Sequence, residues 1–270
     1  MKMDLNPHVG RYLEYSKMLI KDRFVYKINL LLMMAFQIMS PIVMLFVWTA
    51  IYLASGVSAI NNFTLAQIIT YFFIVSAMNA IAPNTAQAIS DDIKYGNMFG
   101  ILTRPLSYVG SVISYAAGHM FVDATVVGIP IIILVTVLMH ISLSLYTWML
   151  FVAAIILMLV LSIMAEFLIG CLSFFFIDIG GVATMFTFIM QFFSGGLIPL
   201  NLLPHGISQV VYALPFQFML YTPAAIFTGA LSSSQAIVSL EIGIVWSLVF
   251  LVLCTAMWHG VKRHIDSVGV

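Results

Sequence analysis

Charge is the scarcest commodity in this sequence. Only 7% of its 270 residues are charged and 63% are hydrophobic, whereas a soluble domain carries about 25% charged residues to keep its surface wet. The shortage excludes a chain that faces water on most sides. Cysteine is nearly absent too: Cys171 and Cys254 both fall inside apolar runs and read as small packing residues, not as a disulfide or a metal site. No His/Cys cluster has metal-ligand spacing. No phosphate loop and no glycine-rich turn between strand and helix is present, so the chain is expected not to hydrolyse ATP by itself. No basic face exists outside one N-terminal helix, which argues against nucleic acid as a partner. The first 27 residues are polar and charged, so no cleavable signal peptide is expected.

What remains is apolar length and the placement of a few cations. The ten lysines and arginines fall before residue 28, between 94 and 104, and at 262–263. Positive charge flanking membrane helices is retained in the cytoplasm. All three clusters are therefore expected on that side, with an even number of crossings between each pair. A crossing needs about 20 apolar residues. The apolar lengths allow two crossings and then four, at about 29–54, 64–88, 108–138, 146–176, 182–201 and 236–260. Pro83 marks a kink in the second, and Pro130 lies inside the third. The expected fold class is an all-α integral membrane protein of six transmembrane helices, with both termini cytoplasmic.

Three segments do not read as simple crossings. Residues 8–26 are amphipathic: Val9, Tyr12, Leu13, Ser16, Leu19, Ile20 and Phe24 share one side and Arg11, Glu14, Lys17, Lys21 and Asp22 the other. Arg23 is the misfit. Such a helix is expected in the interface plane, near anionic headgroups, or as a brace against a partner subunit. Residues 89–106 form the one sizeable internal cytoplasmic loop, with Ser90 or Asp91 capping a short helix and Gly96, Gly100 and Pro105 breaking it. The loop mixes Asp91, Asp92, Lys94, Tyr95 and Arg104 with the apolar Phe99, Ile101 and Leu102. A plain connector has no need of that mixture; docking into a groove on another protein does. Residues 202–230, with the Gly195-Gly196 pair just before, hold no charge and are broken by repeated proline. They read as a re-entrant helical hairpin between the fifth and sixth crossings, because unpaired backbone at membrane depth must be buried against protein.

Ionisable side chains inside apolar runs are functional candidates by default. His119 and Asp123 stand four apart on the third crossing and so can face each other. Glu166 lies on the fourth and Glu241 near the outer end of the sixth. Phe186, Met190 and Phe193 give the fifth crossing a soft, adaptable apolar surface.

Taken in order, these parts resemble the permease subunit of type 2 ABC exporters. The segments that carry the likeness are Leu102-Thr103-Arg104-Pro105-Leu106, Phe193-Ser194-Gly195-Gly196-Leu197-Ile198-Pro199-Leu200, Leu214-Pro215-Phe216 and Tyr221-Thr222-Pro223. The likeness covers essentially the whole chain. It implies a dimer of permeases, identical or homologous, above two copies of a separate ATPase that binds ATP and Mg. It implies a coupling element at about 90–104 and a connecting helix at 8–26. The cargo path would run near the second and fifth helices, at Phe72, Phe186, Met190 and Phe193. An exit gate would form at Pro199, Pro215, Phe216 and Tyr221. Relatives of this kind move drugs, peptides or lipid-like molecules outward across a bacterial plasma membrane.

A second reading is an ion-coupled carrier using His119, Asp123 and Glu166. Such carriers show paired broken helices in two repeated halves, and only one broken segment is evident here. A membrane-embedded enzyme would need a polar pair at a defined depth, which His119 and Asp123 alone offer.

Overall fold

The computed structural model describes residues 7–25, 27–61, 63–102, 107–176 and 179–268. It is almost entirely helical. Helix α1 spans Pro7–Val25 and α2 Lys27–Ser55. A two-residue antiparallel pair, β1 Ala59–Ile60 and β2 Phe63–Thr64, joins α2 to α3, Leu65–Ile81. Thr64 and Gln67 start α3 with a reciprocal capping box. Helix α4 covers Thr85–Lys94, α5 Asn97–Leu102, α6 Tyr108–Asp123 and α7 Ile129–Leu138. Helix α8 runs Leu145–Cys171, capped by the Ser144 hydroxyl. Helix α9 is Gly180–Phe193, α10 His205–Ala213, α11 Tyr221–Phe227 and α12 Ser233–Val268.

Among the described residues, five helical stretches are long and apolar enough to cross a bilayer: Ile28–Ser55, Leu65–Lys94, Tyr108–Leu138, Leu145–Phe174 and Ser233–Arg263. The segment expected as a crossing at 182–201 folds as α9, fourteen residues long. At 1.5 Å per residue it covers about 21 Å of a hydrocarbon core about 30 Å thick. The chain breaks directly after it, with Gly195 at φ +86°.

Helix α3 is the centre of the bundle. Residues Ile68 to Met78 are buried without interruption, as expected of a helix apolar on every side. Trp48 of α2, Ile131 of α7, Phe151 of α8 and five residues of α11 pack on or near it in one cluster. All seven residues of α11 are buried. The Tyr71 hydroxyl of α3 donates to the Gly195 carbonyl at 2.7 Å, and the Tyr221 amide donates to the Ser194 carbonyl at 2.8 Å. The Ser194 and Gly195 carbonyls at the break after α9 thus find donors within the protein.

Two of the prolines inside the long apolar stretches, Pro83 and Pro130, mark changes in the helix. Pro83 has no N–H, and the helix stops at Ile81 and restarts at Thr85. Just ahead of Pro130, a five-residue π turn at Ala124–Gly128 joins α6 to α7. Gly128 lies within that turn, where an added Cβ would meet the Ile81 side chain at 2.4 Å.

Candidate coupling end and membrane cavity

At one end of the bundle α1, α4 and α12, which carry cations of the three clusters, converge around Tyr108. Its buried ring stacks on Trp258 of α12 at 5.7 Å between centroids and meets Phe174 edge-on at 6.3 Å. Its hydroxyl donates to Asp92 of α4 at 3.4 Å. One turn beyond Trp258, the Lys262 ammonium lies 5.9 Å from the indole centroid. Ser107, next to Tyr108, donates its amide to the Tyr12 hydroxyl of α1 at 3.0 Å. The hydroxyl and amide of Ser107 hold the Tyr12 phenol below its ordinary pKa. Lys94, Lys262 and the start of α1 therefore gather at one rim.

Helix α1 is fastened along α6 instead of resting on lipid alone. Its expected apolar face is the face that docks, through Tyr12, Ser16 and Leu19. The Ser16 hydroxyl donates to the Ser114 carbonyl at 3.0 Å. Small residues at Gly110, Ser114 and Gly118 let the helices approach: a Cβ on Gly118 would lie 3.2 Å from the Ser16 carbonyl oxygen. The misfit Arg23 reaches Asp123, with one guanidinium nitrogen 3.0 Å from each carboxylate oxygen. Asp123 is therefore engaged by Arg23 and not by His119, whose ring packs on Tyr115 at 4.1 Å. The expected His119–Asp123 facing pair is corrected on this point: the cation one hundred residues earlier in the chain offers a full charge. Four-residue spacing of small side chains was the sequence signal for this contact; Arg23 had none beyond being out of place.

The expected coupling segment forms a helical hairpin. Helix α4 already begins at Thr85, so Ser90 and Asp91 sit inside it and cap nothing. Gly96, at φ +72°, turns the chain into α5. Gln87 donates to Asp91 at 3.0 Å. Asp92 takes the Tyr108 hydroxyl, while Lys94 and Tyr95 are exposed. The side chains of Phe99, Ile101 and Leu102, and all of Arg104, lie outside the described residues.

Asn84 gives α4 no side-chain cap. Glu166 of α8 supplies one from across the bundle: its Oε2 accepts the Ala86 amide at 3.1 Å. A carboxylate is well placed at the positive end of a helix. Beside it, Gly170 lets Ile89 seat on α8, where an added Cβ would lie 2.6 Å from the isoleucine Cδ1 and 3.2 Å from the Ala86 Cα.

A cavity of about 90 Å³ opens at this break, between α3, α8, α9 and the Met219–Leu220 segment that leads into α11. Phe186, Met190, Glu166, Asn79 and Ser194 are among its lining residues. Of the expected cargo-path residues, Phe186 and Met190 line it. Phe193 packs on Phe216 at 6.2 Å, and Phe72 stacks on Trp48 at 6.2 Å in the main core, outside the cavity lining. The expected gate residues Pro199, Pro215 and Tyr221 are buried, and Phe216 is partly buried. Tyr221 accepts from the Tyr212 hydroxyl at 3.2 Å. Glu241 lies on α12, among the described residues without an ion pair.

A bundle of apolar helices, with Lys94 and Lys262 at one rim and its irregular backbone sheltered, is an integral membrane protein. A protein-family profile described as ABC-2 family transporter protein matches residues 38–269, and the chain belongs to that family. It is an ABC-2 type permease, the membrane-embedded transport component of a family that generally works with an ABC ATPase. No curated protein matches the chain.

Proposed function

We propose that this permease carries a hydrophobic or amphipathic molecule out of the cytoplasm or inner leaflet, driven by an ATPase that is a separate chain. Two copies of the ATPase bind ATP and Mg and dock at the Lys94 rim. This chain has no ATPase site of its own. A second permease, identical or homologous, completes the path. Both termini face the cytoplasm of a bacterial cell. Helix α9 and the broken segment after it together make a sixth crossing, and α10 and α11 make the re-entrant element.

The observation that carries this reading is the α4–α5 hairpin. It hangs from a broken crossing, is held by Glu166, Gly170 and Tyr108, and presents Lys94 and Tyr95 at the cationic rim. A soluble engine pressing on such an element moves α3 and α8 together. Helix α1, fastened along α6 by Tyr12, Ser16 and Arg23, offers a second handle. The carrier reading loses a member of its relay, because Asp123 is held by Arg23.

The test is co-purification with the ATPase encoded nearest the gene. The complex should hydrolyse ATP, and aspartate at Phe99, Ile101 and Leu102 should abolish transport without unfolding the permease. Gly96→Cys should resist an impermeant maleimide added outside intact cells. Labelling from outside would overturn the topology and the mechanism with it.

A further inference from the structure

The cavity at the α3–α4 break has the chemistry of a binding site. Its one ionisable group is Glu166, which spends Oε2 on the Ala86 amide and pairs with no cation among the described residues. Ser194, fully buried, also lines it, and its hydroxyl has no hydrogen-bond partner among the described residues. Asn79 and Gln191 line it as a bonded amide pair, Gln191 donating to the Asn79 side-chain carbonyl at 2.8 Å. The apolar side chains of Met158, Phe186, Met190 and Met219 also line it. A partly buried carboxylate that shares a cavity with an unsatisfied, fully buried hydroxyl calls for a positively charged donor, since a charge left unpaired away from water is costly.

Size and depth narrow the ligand. Sites that enclose a drug-sized molecule span about 300–1,000 Å³, and this cavity holds about 90 Å³. It accepts a head group and not a whole ligand. Counting about 20 residues inward from Leu65 and Leu145 brings the hydrocarbon boundary to about residues 84 and 164. The break and Glu166 therefore lie where an amphiphile keeps its head. Helix α9, which lines one side, buries none of its own residues, so an alkyl tail can pass beside it into lipid.

We propose that the cavity at Glu166 binds the primary ammonium head of an amphipathic amine, with Glu166 as its counter-charge and the tail leaving past α9. The site rests on the transport reading only for the route its ligand then takes; binding requires no ATPase.

The test uses the full chain in phosphatidylcholine nanodiscs, with a diazirine-bearing decylammonium probe and the matching decanol. The amine should label the residues around Phe186 and Met190 and the alcohol should not. Glu166→Gln keeps an acceptor for the Ala86 amide but loses the charge, and should cut amine labelling about tenfold or more with the melting temperature unchanged. Ser194→Ala, which removes no structural bond, should weaken amine labelling and keeps the test decisive if the Glu166 variant misfolds. Replacing part of the lipid by phosphatidylethanolamine identifies the source: competition assigns the site to a lipid amine, and its lack assigns a free amine. Amine labelling that survives both substitutions, or equal labelling by the alcohol, would overturn the site and leave the transport reading standing. Intact labelling in a complex that never transports would do the reverse.

Discussion

Arg23 of α1 grips Asp123 of α6 through one guanidinium nitrogen set 3.0 Å from both carboxylate oxygens, and the Asp123 side chain keeps only 7% of its surface exposed. The pair sits where α1 gives way to the first crossing and where α6 gives way to the π turn. It ties α1 to α6 at the end opposite Tyr12 and Ser107.

Breaking that pair leaves a sheltered carboxylate uncompensated. Arg23→Met alone should destabilise the folded protein by about 2–3 kcal/mol, seen as a lower melting temperature in nanodiscs. The double variant Arg23→Met with Asp123→Leu should recover most of the loss, because removing both charges costs far less than removing one. Equal losses in the single and double variants would show that the two residues act separately.

The approach of α1 to α6 depends on small side chains. In Gly118→Val the new Cβ would press on the Ser16 carbonyl at 3.2 Å, backbone that cannot rotate away. Helix α1 should lift, and its amides from Tyr12 to Leu19 should exchange with deuterium faster than in the parent protein. Gly100→Val, where an added Cβ meets nothing within 4 Å, should leave that exchange unchanged.

Coupling should pass through the α4–α8 contact. Gly170→Ala brings a methyl to 2.6 Å from the Ile89 Cδ1, so α4 must shift or Ile89 must rotate. ATP-driven transport should fall several-fold while the permease still binds its ATPase. Pairing the change with Ile89→Val removes the clashing Cδ1 and should restore transport. Failure of the second substitution to rescue would separate Gly170 from this contact.

The break after α9 rests on Tyr71. Tyr71→Phe leaves the Gly195 carbonyl without its 2.7 Å donor and should cost about 1–3 kcal/mol, the penalty for an orphaned buried polar group. Gly195→Ala should cost at least as much. It adds a Cβ 2.6 Å from the Tyr71 hydroxyl and demands φ +86° of a residue that resists it. Melting temperatures of the two variants check both.

Much of the architecture was legible in the residues. Apolar length anticipated the long apolar helices Ile28–Ser55, Tyr108–Leu138, Leu145–Phe174 and Ser233–Arg263 to within a few residues. Pro83 announced a break, and repeated proline after Gly195 announced irregular backbone. The site was harder to read. Phe186 and Met190 share a cavity with Glu166, but Phe72 was a core residue of identical appearance, stacked on Trp48. Lipid tails are as apolar as leucine, so hydrophobicity alone does not tell a phenylalanine which neighbour to choose.

The division has a physical cause. A bilayer acts on each residue where it stands, so which stretches are buried in hydrocarbon, and which cations are left outside it, follows from local composition and was fixed by the chain alone. Polar groups inside that bundle answer to whatever lies across space. Arg23 finds Asp123 one hundred residues away, Tyr12 finds Ser107 at ninety-five and Glu166 finds Ala86 at eighty. Only packing decided those partners, and with them the clamp on α4 and the charge in the cavity.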